Sequence, residues 1–172
     1  MSRVDSVLAR LRQRLAEFDA AERNADLEDQ LTALDGVLEY VYKLRECRRN
    51  NHSGGASGYD AVVRSDPRGQ TTEAIVMLRG KLTHFLASDV EPRSSHLYPS
   101  NNLFPGETTI LGETLRWPLA VTVLREHSEV LNHSAWFYYE AGVGQVPVRL
   151  TLKTAQEFLL DERLFGADVG PT

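Results

Sequence analysis

The sequence predicts a mainly α protein, a helical bundle made of an up-down hairpin and a central helix, with a small extended element in the C-terminal third. Three observations carry that prediction. Apolar residues recur at helical spacing through the first fifty positions, and a second such stripe runs through residues 71–87. Between and beyond them the chain is punctuated by glycine and proline, with few runs that alternate as strands do.

The first helix is expected near residues 2–21, where Val4, Val7, Leu8, Leu11, Leu15 and Phe18 form one face and Arg10, Arg12, Arg14 and Glu17 fill the others. Ser2 suits its N-cap, and Asp5 suits the positive end of the dipole. The second, near residues 25–48, carries Leu27, Leu31, Leu34, Leu38 and Val41 along a seam that matches the first helix. It ends in Arg45, Arg48 and Arg49, followed by His52 and the run Ser53-Gly54-Gly55-Ala56-Ser57-Gly58, which reads as a flexible connector. Those glycines are not a phosphate loop, because no Gly-Lys-Ser/Thr closes them, and no cofactor is expected.

A third helix is expected over residues 71–87, with Ile75, Leu78, Leu82, Phe85 and Leu86 as its apolar stripe. Pro92, Pro99 and Pro105 make residues 88–107 a long surface excursion, the first part of an irregular, short-strand insertion spanning residues 88–150. Within it, Thr108–Leu111 and Leu119–Leu124 are β-branched enough to form a small hairpin. Ser134–Ala141 suits one helical stretch, Val146–Val148 is extended, and a last helix runs over residues 151–164.

Composition narrows function. With 172 residues, 42% of them hydrophobic, the chain can bury one continuous core, so residues 1–172 read as a single domain. Cys47 is the only cysteine, which excludes an intramolecular disulfide and fits a reducing cytoplasm. Met1–Asp5 lack the apolar stretch of a secretion signal, and runs such as Leu119–Val121 are far too short for a membrane span, so no membrane partner is expected. A net charge of −5 argues against broad nucleic-acid binding and leaves room only for a local basic site.

The segment Leu78-Arg79-Gly80-Lys81-Leu82-Thr83-His84 is the best candidate for such a site. On a helix, Arg79 and His84 stand about 140° apart, on either side of the face opposite Leu78 and Leu82. Between them Val76, Gly80, Thr83 and Ala87 make a strip of small side chains that lets a second helix approach closely.

This arginine, four intervening residues and a histidine, late in a helical hairpin domain, resembles the HEPN superfamily (higher eukaryotes and prokaryotes nucleotide-binding domains). The resemblance covers roughly residues 1–90, and the motif itself is two residues long. It implies a metal-independent endoribonuclease of a toxin–antitoxin or antiphage system, with Arg79 and His84 as its catalytic residues. It implies RNA as substrate, an antitoxin or other protein as partner, and a homodimer whose two motifs face one groove. The family often has Asn, Asp or His directly after the arginine, where this chain has Gly80. The chemistry is coherent: an imidazole titrates near neutrality and can move protons, while a guanidinium stays cationic and can hold two phosphate oxygens.

Arg45, Arg48, Arg49, His52 and Lys81 are further candidates for phosphate contacts, and Arg45 with His52 repeats the motif at wider spacing. His96, His127 and His133 with Glu126 and Glu129 show no metal-ligand spacing, so no metal is expected. Trp117, Trp136, Phe137, Tyr138 and Tyr139 could stack bases or fill a core. The alternative to an enzyme is a non-catalytic helical interaction module in which Arg79 and His84 are structural.

Overall fold

The computed structural model describes residues 3–24, 27–82, 91–94, 113–126 and 128–165. The described residues are mainly helical, as the sequence predicts. Helix α1 (Arg3–Asn24) and helix α2 (Leu27–Asn51) form the hairpin, each about one turn longer at its C-terminal end than expected. Val4, Leu11 and Phe18, spaced by seven, make the buried stripe of α1, and Leu34, Val37, Leu38, Val41 and Leu44 that of α2.

The expected connector after α2 is instead mostly helix. Helix α3 (Gly55–Ser65) starts inside the glycine-rich run, where Gly55 at φ +62° turns the chain and the Gly54 N–H donates to His52 Nδ1 at 3.0 Å. Burial of Tyr59 and Val63 holds it against the bundle, and tertiary packing overrides a composition poor in helix formers.

Helix α4 (Pro67–Leu82) also starts earlier than predicted. Asp66 joins the two helices. Its N–H closes α3 by donating to Val62 O and Val63 O, and its carboxylate caps α4 by accepting from the Arg68 N–H at 2.8 Å. Pro67 then occupies the first helical position, where the missing N–H costs nothing.

Strands β1 (Glu91–Ser94) and β2 (Glu113–Arg116) pair antiparallel, Glu91 opposite Arg116. The expected hairpin partner Leu119–Leu124 is not a strand. Most of it belongs to helix α5 (Ala120–Glu126), with Val123 buried, so packing again defeats β-propensity; its expected partner, Thr108–Leu111, lies outside the described residues. A 3-10 turn (Ser128–Asn132) leads to helix α6 (Trp136–Gly142), close to its predicted span, so the described part of residues 88–150 is less irregular than expected.

Helix α7 (Val148–Leu159) carries the most amphipathic stripe, with Val148, Leu152, Ala155, Phe158 and Leu159 buried. Of the extended run expected over Val146–Val148, only Pro147 bridges Arg116, while Val148 already opens the helix. The expected 151–164 helix breaks at Asp161, whose carboxylate accepts from the Arg163 N–H and begins a separate turn, helix α8 (Glu162–Phe165). Helix α4 is central, packing on α2, α3, α6 and α7. Trp117, fully buried, donates from its indole to Thr151 Oγ1 at 2.6 Å, and Tyr139 donates to Pro118 O at 2.6 Å, so the segment after β2 is pinned between α6 and α7.

Gly69 marks a close approach of α4 to α3 and α7. A Cβ there would stand 2.8 Å from Phe158 Cζ and 3.0 Å from Val63 Cα. Gly69→Ala is expected to destabilise the fold by about 1–3 kcal/mol through overpacking, whereas Gly142→Ala, with nothing within 4 Å, is expected to be neutral or slightly stabilising. Thermal denaturation of the two variants reads the difference.

Candidate functional site

Two ion pairs tie α2 to α4. Arg45 on α2 donates to both oxygens of Glu73 on α4, Nε to Oε1 at 2.8 Å and Nη2 to Oε2 at 2.7 Å. Both side chains are nearly out of water, 14% and 13% exposed. Tyr59 of α3 donates its hydroxyl to Glu73 Oε1 at 3.1 Å, and its ring lies under the Arg45 guanidinium, which also bonds Glu46. Burial works against the Arg45 charge, but the carboxylates of Glu73 and Glu46 outweigh it and hold the guanidinium above its ordinary value. Burial and the Glu73 charge together push the Tyr59 phenol far up, so it remains a donor.

The second pair holds the candidate catalytic arginine. Arg79 on α4 donates from Nη2 to Glu39 on α2, and its guanidinium lies 4.4 Å from the centroid of the Tyr42 ring. This pair is more open, 24% and 33% exposed. Glu39 also meets Lys43 Nζ at 3.0 Å. Burial alone would raise the Glu39 carboxyl, but Lys43 and Arg79 overcome it and hold the group below its ordinary value.

His84, Thr83 and Ala87 lie outside the described residues, as do His96 and His127. Gly80 and Lys81 fall in the last turn of α4, and Val76 is half-buried against the core.

Two of the expected phosphate contacts have partners within the chain. Arg45 is committed to Glu73. Arg48 is buried, donates from Nε to the Leu159 carbonyl at 2.9 Å and faces the Phe165 ring, so it satisfies a carbonyl at the end of α7. Arg49 stands 3.6 Å from Asp60, and His52, half-buried, accepts from Gly54 and meets the edge of Phe165. Trp117, Trp136 and Tyr139 are core residues, whereas Phe137 is 69% exposed and Tyr138 packs on it. Among the described residues no group of three or more His, Cys, Asp or Glu side chains is arranged to hold a metal ion.

The structure adds a feature the sequence reading missed. Between the N-terminal half of α1 and the C-terminal half of α2 lies a cleft of about 570 Å³, lined by Arg3 and Arg10 from one helix and Tyr40, Tyr42 and Lys43 from the other. Arg3, Val7 and Arg10 fall on one flank of α1, and Tyr40, Lys43, Cys47 and Asn50 on the facing flank of α2, both at helical spacing. That double pattern was available as a signal, but each half reads alone as an ordinary border to an apolar seam. Tyr42 connects the two features, since it lines the cleft and carries Arg79 on its ring.

No family model, curated protein or solved structure matches the chain. Among the described residues no helix is long and apolar enough to cross a membrane. The class that fold and site define is therefore a mainly helical bundle with a cationic cleft beside a paired arginine.

Two outcomes follow. Arg45→Ala strands Glu73 in a dry environment and is expected to cost about 3–5 kcal/mol, whereas Arg79→Ala opens a solvent-screened pair and is expected to cost about 1 kcal/mol or less, both measured by urea unfolding. Acid sensitivity is the second. The Arg68 guanidinium holds Asp66 below its ordinary value, and Arg163, ahead of Arg68, does so for Asp161. Such carboxylates contribute stability above the unfolded range near pH 4, which is lost as pH falls through the lowered folded values. The urea midpoint is expected to be flat from about pH 7 to 5 and to fall below about pH 4, less steeply in Asp161→Asn.

Proposed function

We propose that the chain is a HEPN-like metal-independent endoribonuclease of a toxin or antiphage defence system, cleaving RNA with Arg79 and His84 in the groove of a homodimer. The observation that carries this reading is the placement of Arg79: oriented by Glu39, stacked on Tyr42, and adjoining a cleft that bears Arg3, Arg10 and Lys43. A guanidinium held this way is preorganised for phosphate oxygens, and its partial exposure lets a phosphate compete for it with Glu39.

In the proposed reaction an imidazole, His84 of one chain, takes the proton of the ribose 2′-hydroxyl as that oxygen attacks phosphorus. Arg79 offsets the charge gathering on the non-bridging oxygens. The P–O5′ bond breaks, and the second chain's imidazolium, His84 again, protonates the departing oxygen. The products are a 2′,3′-cyclic phosphate and a 5′-hydroxyl, with no electrons exchanged and two protons moved, so the two imidazoles end with their protonation states exchanged. Val76, Gly80, Thr83 and Ala87 are the strip proposed to bring the two chains together.

A second reading, the non-catalytic interaction module, is favoured by one observation. Val121, Leu131, Phe137 and Leu150 are large apolar residues left facing water in the C-terminal third, a composition that suits a protein partner such as an antitoxin.

Purified protein incubated with end-labelled RNAs decides between them. Cleavage is expected to persist in EDTA and to leave cyclic phosphate ends, and Arg79→Ala and His84→Ala are each expected to lower it by a factor on the order of 100 or more with the fold intact. Folded wild-type protein that cleaves none of the RNAs would overturn the enzyme in favour of the module.

A further inference from the structure

Helix α3 does not support itself. It opens on Gly55-Ala56-Ser57-Gly58 and has 11 residues, fewer than a helix needs to be stable alone in water. It is held from outside, at both of its ends. At its start the His52 ring accepts the Gly54 N–H, and it lies so close to the helix that a Cβ on Gly58 would stand 2.7 Å from His52 Nδ1. One turn further on, the Tyr59 ring is fully buried.

Phe165, the last residue of α8, touches both of those rings. It stacks on Tyr59 with centroids 5.9 Å apart and meets the edge of His52 at 6.3 Å. Phe158 of α7 and the guanidinium of Arg48 on α2 enclose the same ring, each at 5.3 Å. The other end of α3 is fastened by the residue that precedes α8. Arg68, which holds the Asp66 carboxylate at 2.6 Å beside the last turn of α3, gives the same Nη2 to Asp161 at 3.1 Å. Residues 161–165 therefore meet both ends of α3. They place little of themselves in the core, since no residue of α8 is fully buried and the Arg163 side chain is 86% exposed.

A segment with few buried contacts of its own opens at a small part of the free energy of global unfolding. We infer that residues 161–165 are a strap across α3, and that strap and helix open together as one unit while the α1–α2 hairpin stays folded. Opening withdraws the Tyr59 hydroxyl from Glu73 and its ring from the Arg45 guanidinium, so the C-terminal turn is coupled to the pair that seats α4 on α2. The inference is independent of the proposed cleavage and is read without RNA.

Amide hydrogen exchange of the full chain at pH 7, followed by mass spectrometry, tests it. In the wild type the amides of α3 are expected to exchange at least about tenfold faster than those of residues 34–44 in the hairpin seam. Phe165→Ala is expected to speed α3 a further tenfold or about that, and to leave residues 34–44 within about twofold. Phe165→Leu keeps apolar bulk without the ring and is expected to have a smaller effect in the same helix. Asp161→Ala removes a pair whose arginine is one-third exposed and is expected to speed α3 about threefold. Leu34→Val, about 27 Å along α2 from His52, is expected to do the reverse, speeding the seam and leaving α3 unchanged. Exchange of α3 at the rate of the seam in the wild type overturns the inference. So does an equal acceleration of both by Phe165→Ala, or a Phe165→Ala chain that does not fold, because a strap is separable from the bundle it closes.

Discussion

The bidentate pair between Arg45 and Glu73 fixes how the central helix lies on the hairpin, and the candidate site depends on that register. Both side chains are largely out of water, and the Tyr59 hydroxyl occupies a further acceptor position on Glu73. Such a pair contributes little net stability over well-packed apolar residues, because desolvation offsets most of the attraction, but it penalises any arrangement that separates the partners. Its role here is therefore positional. Six residues beyond Arg45 towards the start of α2 stands Glu39, and six residues beyond Glu73 towards the end of α4 stands Arg79. The two pairs repeat the same contact with the charges exchanged, which makes α2 and α4 antiparallel and sets the pairs about 9 Å apart along the axes. The dry pair thus sets the register in which the open pair, with the arginine of interest, meets Glu39.

The hairpin was legible because its seam repeats on a period that only a helix satisfies. Leu34, Leu38 and Val41 are buried as the pattern requires. Helix α3 was not, since its first four residues are Gly-Ala-Ser-Gly and its stability comes from Tyr59 and Val63 meeting other helices. The start of α4 was legible in principle: Asp66-Pro67 pairs a good N-cap with the residue best suited to the first helical position, yet the same dipeptide also reads as a turn. Leu119–Leu124 misleads for the opposite reason. Its β-branched residues favour a strand in isolation, while burial of Val123 against the bundle decides for a helix. Arg79 was found from spacing, but its partners Glu39 and Tyr42 lie some forty residues away, and no local pattern pairs them with it.

The segment after β2 is fastened by polar bonds that the aromatics make from inside the core. Trp117 reaches Thr151 on α7, and Tyr139 on α6 reaches the Pro118 carbonyl, so each ring buries its area and satisfies its one polar atom on a different element. This accounts for the aromatic cluster the sequence shows and removes most of it from ligand binding. Phe137 remains, turned outward on the same short helix whose Trp136 and Tyr139 face inward.

Charge distribution links the cleft to the arginine. At physiological ionic strength a field is screened within roughly 8 Å, so a chain with net charge −5 can still present a cationic site if its positive groups converge at close range. Arg3, Arg10 and Lys43 line one cleft. Lys43 also shares Glu39 with Arg79, so the carboxylate sits between the cleft and the candidate catalytic group. Glu39 therefore serves two cations at once, and its charged form is what holds Lys43 beside the cleft and Arg79 over the Tyr42 ring.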